Sequence, residues 1–193
     1  MRIAFTGSGG TGKTTLLTEI NKELQLPVIG EGIREWLKEH DFKDFKGMTI
    51  HHVVQMQEDT LKRKMDIESE LQAFVSDRTT VDNLCYALRW IGSLDPEYDT
   101  WMAQYITHAM NHANKNYDII FMLPWGVVPL EKDGTRSSKQ WYQYMMQNII
   151  ERHIYMLERP MVYEVMSETL EDRVVECLKI VKGVDISQLT SDV

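Results

Sequence analysis

Cysteine, long apolar runs and excess positive charge are all scarce in this sequence. The 193 residues include only Cys85 and Cys177, which form no C-x-x-C pair, so the sequence indicates neither a disulfide framework nor a zinc site. The longest nearly apolar stretch, residues 119–130, contains two prolines and is shorter than the roughly 20 residues that span a bilayer. Because a polar, glycine-rich segment begins at Thr6, no secretory leader fits, and we expect a cytoplasmic protein without a membrane partner.

Acidic residues outnumber basic ones, 29 against 21, and the formal net charge is −8. A protein that wraps nucleic acid needs a cationic surface to neutralise phosphates, so this balance argues against a nucleic-acid partner and favours a small molecule. At roughly 100–200 residues per domain, the length predicts one domain over residues 1–193.

Short apolar runs alternate with helical periodicity along the chain. Five runs rich in Val, Ile and Phe are typical of buried parallel strands, and amphipathic stripes between them predict helices. This succession predicts an α/β protein with helices on both faces of a parallel sheet. Gly183 lies where a helix C-cap belongs, and His108 and His112, without the glutamate of H-E-x-x-H, are interpreted as helix surface. The predicted strands are Arg2–Thr6, 27–31, 71–76, 117–123 and 160–165.

The strongest motif is a glycine-rich loop between the first predicted strand and the first predicted helix. It matches G-x-x-x-x-G-K-[ST], whose backbone N–H groups cradle the α- and β-phosphates of a nucleotide. Lys13 can reach the β- and γ-phosphates, and the Thr14 hydroxyl can ligate Mg²⁺. The predicted ATP-binding residues are Gly7, Ser8, Gly9, Gly10, Thr11, Gly12, Lys13, Thr14 and Thr15.

Polar residues also follow the second and third predicted strands, where ligands collect in open parallel sheets. Asp77 is a candidate Mg²⁺ ligand or proton acceptor, and Arg78 a candidate for binding an anionic acceptor or the transferring phosphoryl group. Glu31 is placed to act as a base and Arg34 to meet a phosphate. The alternatives are a capping Asp with an incidental Arg and an acidic first helical turn.

Two further places are candidates for contact with a substrate. Asp82 and Tyr86 share one helix face and fit the sugar or base of an acceptor, or a surface Asp beside a half-buried Tyr. The segment 129–139 is a candidate lid that excludes water, and its Arg136 a candidate catalytic arginine finger. A solvated surface loop is the alternative for this segment.

These residues resemble the small P-loop kinases of nucleotide metabolism. Asp77-Arg78 is similar to the Asp-Arg pair of thymidylate kinases, and less closely to the Glu-Arg-Ser of deoxynucleoside kinases. Glu31 with Arg34, and the Asp-Gly-Thr-Arg segment that ends at Arg136, resemble the ribosylnicotinamide-kinase group. The resemblance implies a three-layer fold with sheet order 2-3-1-4-5, a lid, and phosphoryl transfer from ATP with Mg²⁺. It assigns Asp77 to the metal or acceptor, Arg78 to the acceptor or transferring phosphate, and Arg136 to the lid.

The leading hypothesis is a kinase of a (deoxy)nucleoside monophosphate, because Arg34, Arg78 and Arg136 meet where a second phosphate would need them. A nucleoside kinase, with Glu31 or Asp77 as the base, is the alternative. A polynucleotide 5′-kinase and a nucleotide-binding ATPase are further alternatives, and a homodimer stays open. The fourth predicted strand does not end in an acidic residue, which weakens a motor-type ATPase.

Overall fold

The computed structural model describes residues 1–91, 96–129 and 139–189, with residues 184–189 described by their backbone alone. Five strands form one sheet in the order β2-β3-β1-β4-β5, and every pairing is parallel. This confirms the predicted α/β fold class and sheet order. The strands are β1 Arg2–Thr6, β2 Val28–Ile29, β3 Phe74–Asp77, β4 Ile119–Met122 and β5 Met161–Glu164.

Helices cover both faces of the sheet. Helices α1 and α7 pack on one face, and α4, α5 and α6 pack on the other, with α3 against α4 and α5. The described helices are α1 Lys13–Leu24, α2 Ile33–Glu39, α3 Ile50–Glu70, α4 Thr80–Trp90, α5 Asp99–Asn116, α6 Gln140–Ile154 and α7 Leu170–Leu189. No helix in the described ranges is long and apolar enough to cross a membrane.

The central strand β1 shows why the inner strands read as continuous apolar runs. Ile3 and Phe5 join the core beneath α1 and α7, whereas Ala4 joins the core on the opposite face, because successive side chains alternate across a sheet. All three are fully buried. A sheet covered on both faces places its carboxyl-terminal strand ends at one open edge, where polar residues can meet a ligand.

Strands β2 to β5 differ from their predicted bounds by a few residues, and two helices differ from the prediction. Helix α3 was not predicted, because its inner face carries the buried polar residues Gln57, Lys64 and Glu68, which hide the apolar period. Gly183 lies inside α7 and does not cap it, so that prediction is wrong. The predicted lid falls almost wholly on residues 130–138, which lie outside the described residues together with Arg136.

Candidate active site

The loop between β1 and α1 depends on glycine at the points where the chain turns most sharply. A Cβ atom on Gly7 would lie 2.5 Å from the carbonyl oxygen of Leu123, so no larger residue fits there. Gly12 has a φ of +81° and caps the N-terminus of α1. The N-terminus of α1 thus opens directly onto the loop, as phosphate binding requires.

Hydrogen bonds within the loop and hydrogen bonds to α6 fix the conformation of the loop. The Lys13 ammonium, only 3% exposed, donates to the Ser8 carbonyl and lies 3.2 Å from the Thr11 hydroxyl oxygen. The amides of Ser8 and Gly9 donate to the side-chain oxygens of Gln147 (2.8 Å) and Gln143 (2.7 Å). The sequence did not predict either glutamine as a site residue, because a glutamine within an amphipathic helix belongs to no recognisable motif.

The structure brings together the two predicted metal ligands. The Thr14 hydroxyl donates to a carboxylate oxygen of Asp77 at 2.6 Å, across 63 positions of sequence. Hydroxyl and carboxylate oxygens are hard donors that suit Mg²⁺, which commonly binds through one or two protein groups and substrate phosphates. Thr14 and Asp77 therefore fit a magnesium ion, and their ligand roles stay predictions.

Arg78 is the most constrained residue of the site. Its backbone has a φ of +75°, which an L side chain rarely adopts, and the residue is 3% exposed. Its guanidinium pairs with Glu31 through Nε and with Asp82 through Nη1 at 3.1 Å. Burial acts to lower the pKa of Arg78, but Tyr86, Glu31 and Asp82 outweigh it and hold that pKa well above its ordinary value.

Asp82, an ion-pair partner of Arg78, is itself fixed by several hydrogen bonds. It is fully buried, accepts from the hydroxyls of Thr6 and Thr79 at 2.7 Å each, and forms a capping box with Thr79 at the start of α4. The geometry therefore gives Asp82 a positioning role, while its contact with an acceptor stays a prediction. Tyr86 places its ring 5.1 Å from the Arg78 guanidinium carbon.

A buried polar cluster around Glu68 of α3 supports the same turn. Glu68, fully buried, pairs with Lys64 at 3.4 Å and accepts from the Ser76 hydroxyl at 2.7 Å and from Tyr117. Ser76 in turn lies 3.0 Å from the carbonyl oxygen of Arg78. His112 is 8% exposed and bonds to Glu68 at 2.8 Å, so its interpretation as helix surface is wrong.

A cavity of about 370 Å³ lies beside the loop on the side of α2, α3 and α4. It brings together Glu31, Arg34, Arg78 and Tyr86, four of the five residues predicted to bind an acceptor. Sequence reasoning missed its remaining walls, because they come from α2, α3, α4, α6 and the segments beside them and share no motif. These include Leu37, Phe45, Met56, Gln57, Trp90, Lys139, Tyr142 and Gln143.

A second cavity, also of about 370 Å³, lies on the other side of the loop and is lined by Gly10, Gly12, Thr15 and Arg173 among others. Arg173 of α7 donates through Nε to the Ser167 carbonyl at 2.7 Å and through Nη1 to the Thr11 carbonyl at 3.1 Å. Its Nη2 is buried and has no hydrogen-bond partner in the described part of the chain. Leaving such a donor unpaired costs about 1–3 kcal/mol.

A family model described as an AAA domain (AAA_28) matches residues 2–173. The chain belongs to this AAA domain family. No curated protein matches the sequence of this AAA domain.

Solved structures share the fold of this AAA domain at low identity. Deoxyadenosine kinase from M. mycoides with dCMP and dCDP gives a TM-score of 0.68 at 20% identity, over 95% of this chain and 100% of that one. The NadR protein with NAD and AMP-PNP gives 0.66 at 16%, over 93% of this chain and 48% of that one. Thymidylate kinase from Ehrlichia chaffeensis gives 0.56 at 16%, over 94% and 98%. The predicted resemblance to P-loop nucleoside and nucleotide kinases is thereby confirmed for the fold.

Proposed function

We propose that this AAA domain is an ATP- and Mg²⁺-dependent kinase that phosphorylates a hydroxyl group of a small nucleoside. One observation carries the proposal: a single cavity is lined both by Gly9 of the phosphate loop and by the carboxylate residue Glu31. An acceptor in this cavity would lie next to the phosphate chain of ATP and to a base. The names of the similar structures, which include a deoxyadenosine kinase, support this class of reaction.

The donor half of the reaction uses the phosphate loop. The α1 N-terminus and Lys13 would bind the phosphates of ATP, and Thr14 with Asp77 would hold Mg²⁺. When bound, the metal neutralises charge on the β- and γ-phosphates. Arg136 lies outside the described residues, and its role as an arginine finger stays part of the proposal.

The acceptor half uses Glu31. The acceptor hydroxyl attacks the γ-phosphorus of ATP, its proton passes to the Glu31 carboxylate, and ADP leaves with the bridging electrons. The salt bridge with Arg78 fixes the carboxylate, whose side chain is 16% exposed. Since Glu31 and Asp82 already balance the Arg78 charge, Arg78 is better suited to orient the base than to bind a second phosphate.

A nucleoside monophosphate is the second candidate acceptor. Arg34 and Lys139 also line the cavity, and either cation suits an acceptor phosphate. The proposal also includes a homodimer and residence in the cytoplasm. Neither depends on which acceptor the protein uses.

The experiment is a transfer assay with γ-labelled ATP, Mg²⁺ and a panel of nucleosides with their matched 5′-monophosphates. We expect label in the monophosphate of at least one nucleoside and none with Lys13→Ala. Label in diphosphates alone selects the second candidate. Release of labelled inorganic phosphate with no labelled acceptor contradicts both and identifies an ATPase.

A further inference from the structure

The cavity on the α7 side of the phosphate loop contains a cation that has no ion-pair partner among the described residues. Arg173 is 3% exposed, and no ion pair joins it to a carboxylate across residues 1–91, 96–129 and 139–183. Burial lowers the pKa of Arg173, and Cys177 and Glu176 offset that effect only in part. Arg78, by contrast, has two carboxylate partners. The two buried arginines beside the loop therefore differ in what they need from a ligand.

The contacts of Arg173 direct it toward the loop. Its Nη1 is bonded to the Thr11 carbonyl, and a Cβ atom placed on Gly12 would lie 3.5 Å from that same nitrogen. Thr15, the third residue of α1, lines the same cavity. Two of the three guanidinium nitrogens are committed to backbone carbonyls, which fixes the plane of the group and leaves Nη2 as the donor without a partner.

We propose that Arg173 binds the α-phosphate of the donor nucleotide through Nη2. A buried guanidinium gains most from an anionic acceptor, because the charge and the unpaired N–H are satisfied together. The phosphate loop supplies that anion when ATP binds. We assign the α-phosphate to this cavity because the cavity proposed for the acceptor, toward which the γ-phosphate would be transferred, lies on the other side of the loop. This inference rests on the proposed binding of ATP at the loop and adds a residue that the motif does not contain.

The alternative is that Arg173 only fastens the loop to the segment before α7. Loss of a fastening would weaken binding of every triphosphate ligand without regard to the atoms at the α-position. A direct contact, in contrast, is sensitive to replacement of one α-phosphate oxygen by sulfur, which is a poorer hydrogen-bond acceptor. Measuring the effect of α-sulfur in the wild type and in a variant of Arg173 therefore distinguishes a direct contact from a fastening role.

The test measures the affinities of ATP, the two α-thio diastereomers of ATP and γ-thio ATP by calorimetry, in EDTA so that a metal preference for oxygen does not enter. For the wild type we expect one α-thio diastereomer to bind about tenfold more weakly than the other. For Arg173→Met we expect a loss of about tenfold to a hundredfold in ATP affinity and equal binding of the two diastereomers. The effect of γ-sulfur is expected to be the same in both proteins.

Lys179→Met is the matched control, since Lys179 is an exposed cation on the same helix. If Arg173→Met does not fold, Arg173→Lys replaces it, because lysine keeps the charge but lacks the Nη2 donor. The two diastereomers are again expected to bind equally. A diastereomer preference that survives in the variant, or that the wild type lacks, overturns the inference. A wild type with the preference but no labelled acceptor contradicts only the proposed kinase function, whereas turnover without the preference contradicts only the role of Arg173.

Discussion

Arg78 combines a rare backbone conformation with complete burial of a charge. A left-handed conformation at a non-glycine residue costs about 1–3 kcal/mol and persists only where the surroundings enforce it. Here the Arg78 amide donates to the Phe5 carbonyl at 2.9 Å, while Glu31 and Asp82 hold the guanidinium. Such strain clusters at functional sites, and this one orients the guanidinium beside the cavity that we propose for the acceptor.

Glu31 is the residue whose chemistry the proposed reaction needs most. Glu31→Gln keeps an oxygen for Arg78 but removes the base, so we expect turnover to fall by about 10²–10⁴ while ATP affinity stays unchanged. Steady-state transfer rates and ATP titrations measure the two quantities. Glu39→Gln is the control, since Glu39 is an exposed glutamate paired with Arg63. A turnover within tenfold of the wild type would remove Glu31 from the base role.

Asp77 makes a different prediction, which concerns the metal. Asp77→Asn removes the anionic charge beside Thr14, so we expect the Mg²⁺ concentration for half-maximal transfer to rise by about 10–100-fold. A magnesium titration at saturating ATP measures it, with the exposed residue Asp66 changed to Asn as the control. An unchanged magnesium requirement would assign Asp77 to the acceptor.

At the residue scale, the sequence predicted residues that belong to a motif or follow a predicted strand, and it missed residues within helices that reach the loop. The phosphate loop is one unbroken motif, so its residues could be named without a structure. Arg173 and Gln143 reach the loop from helices more than a hundred positions away. Neither residue belongs to a motif with a characteristic spacing in the sequence. Only the packing of α6 and α7 brings them to the loop.

At the scale of elements, two buried carboxylates support the turn from β3 into α4: Asp82 bonds to Thr79, and Glu68 bonds to Ser76. Glu68→Gln leaves the Lys64 ammonium buried without its carboxylate, so we expect the free energy of unfolding to fall by about 3–5 kcal/mol. Urea unfolding measures this loss. Glu70→Gln, at the exposed end of the same helix, is expected to change little, and an equal loss in both variants would contradict the special role of Glu68.

The same carboxylate predicts a pH dependence of stability. Burial acts to raise the pKa of Glu68, but Lys64, His112 and Ser76 outweigh it, and the net pKa lies below its ordinary value of 4.5. As pH falls, the unfolded chain takes up the proton first. The contribution of Glu68 is therefore complete above about pH 4.5 and is lost as pH drops through the folded-state pKa. We expect the stability gap between wild type and Glu68→Gln to close over that interval, and a constant gap would contradict this assignment.

The element scale also shows where hydrophobic periodicity fails. Strand β1 was predicted with its observed bounds, because both of its faces are apolar. Helix α3 was missed because its inner face packs Lys64, Glu68 and Gln57 against partners from other elements. Their partners include Ser76 and Tyr105, which only the tertiary structure brings near. In the sequence alone, these polar positions are therefore typical of an exposed face.

At the scale of the whole molecule, ligand binding at the loop should appear as stability. ATP with Mg²⁺ at a hundred times its Kd stabilises a folded protein by about 2.7 kcal/mol. For a chain of this length, we expect a rise of roughly 5–10 °C in Tm. Thermal melting with and without EDTA measures it, and Lys13→Ala supplies the comparison. An equal rise in that variant would place nucleotide binding elsewhere than the loop.

The position of β1 at the centre of the sheet bears on how this chain folds. Its partners lie far along the sequence: Arg2 pairs with Phe74, 72 positions later, and Ile3 pairs with Ile119, 116 positions later. Pairing over such distances closes large loops and slows folding. On the ribosome, the strand that leads into the phosphate loop is synthesised before both of its neighbours, and the second of them follows 116 positions later. Until then one edge of β1 lacks its partner strand, and an unpaired edge of this kind makes a partly folded chain prone to aggregation.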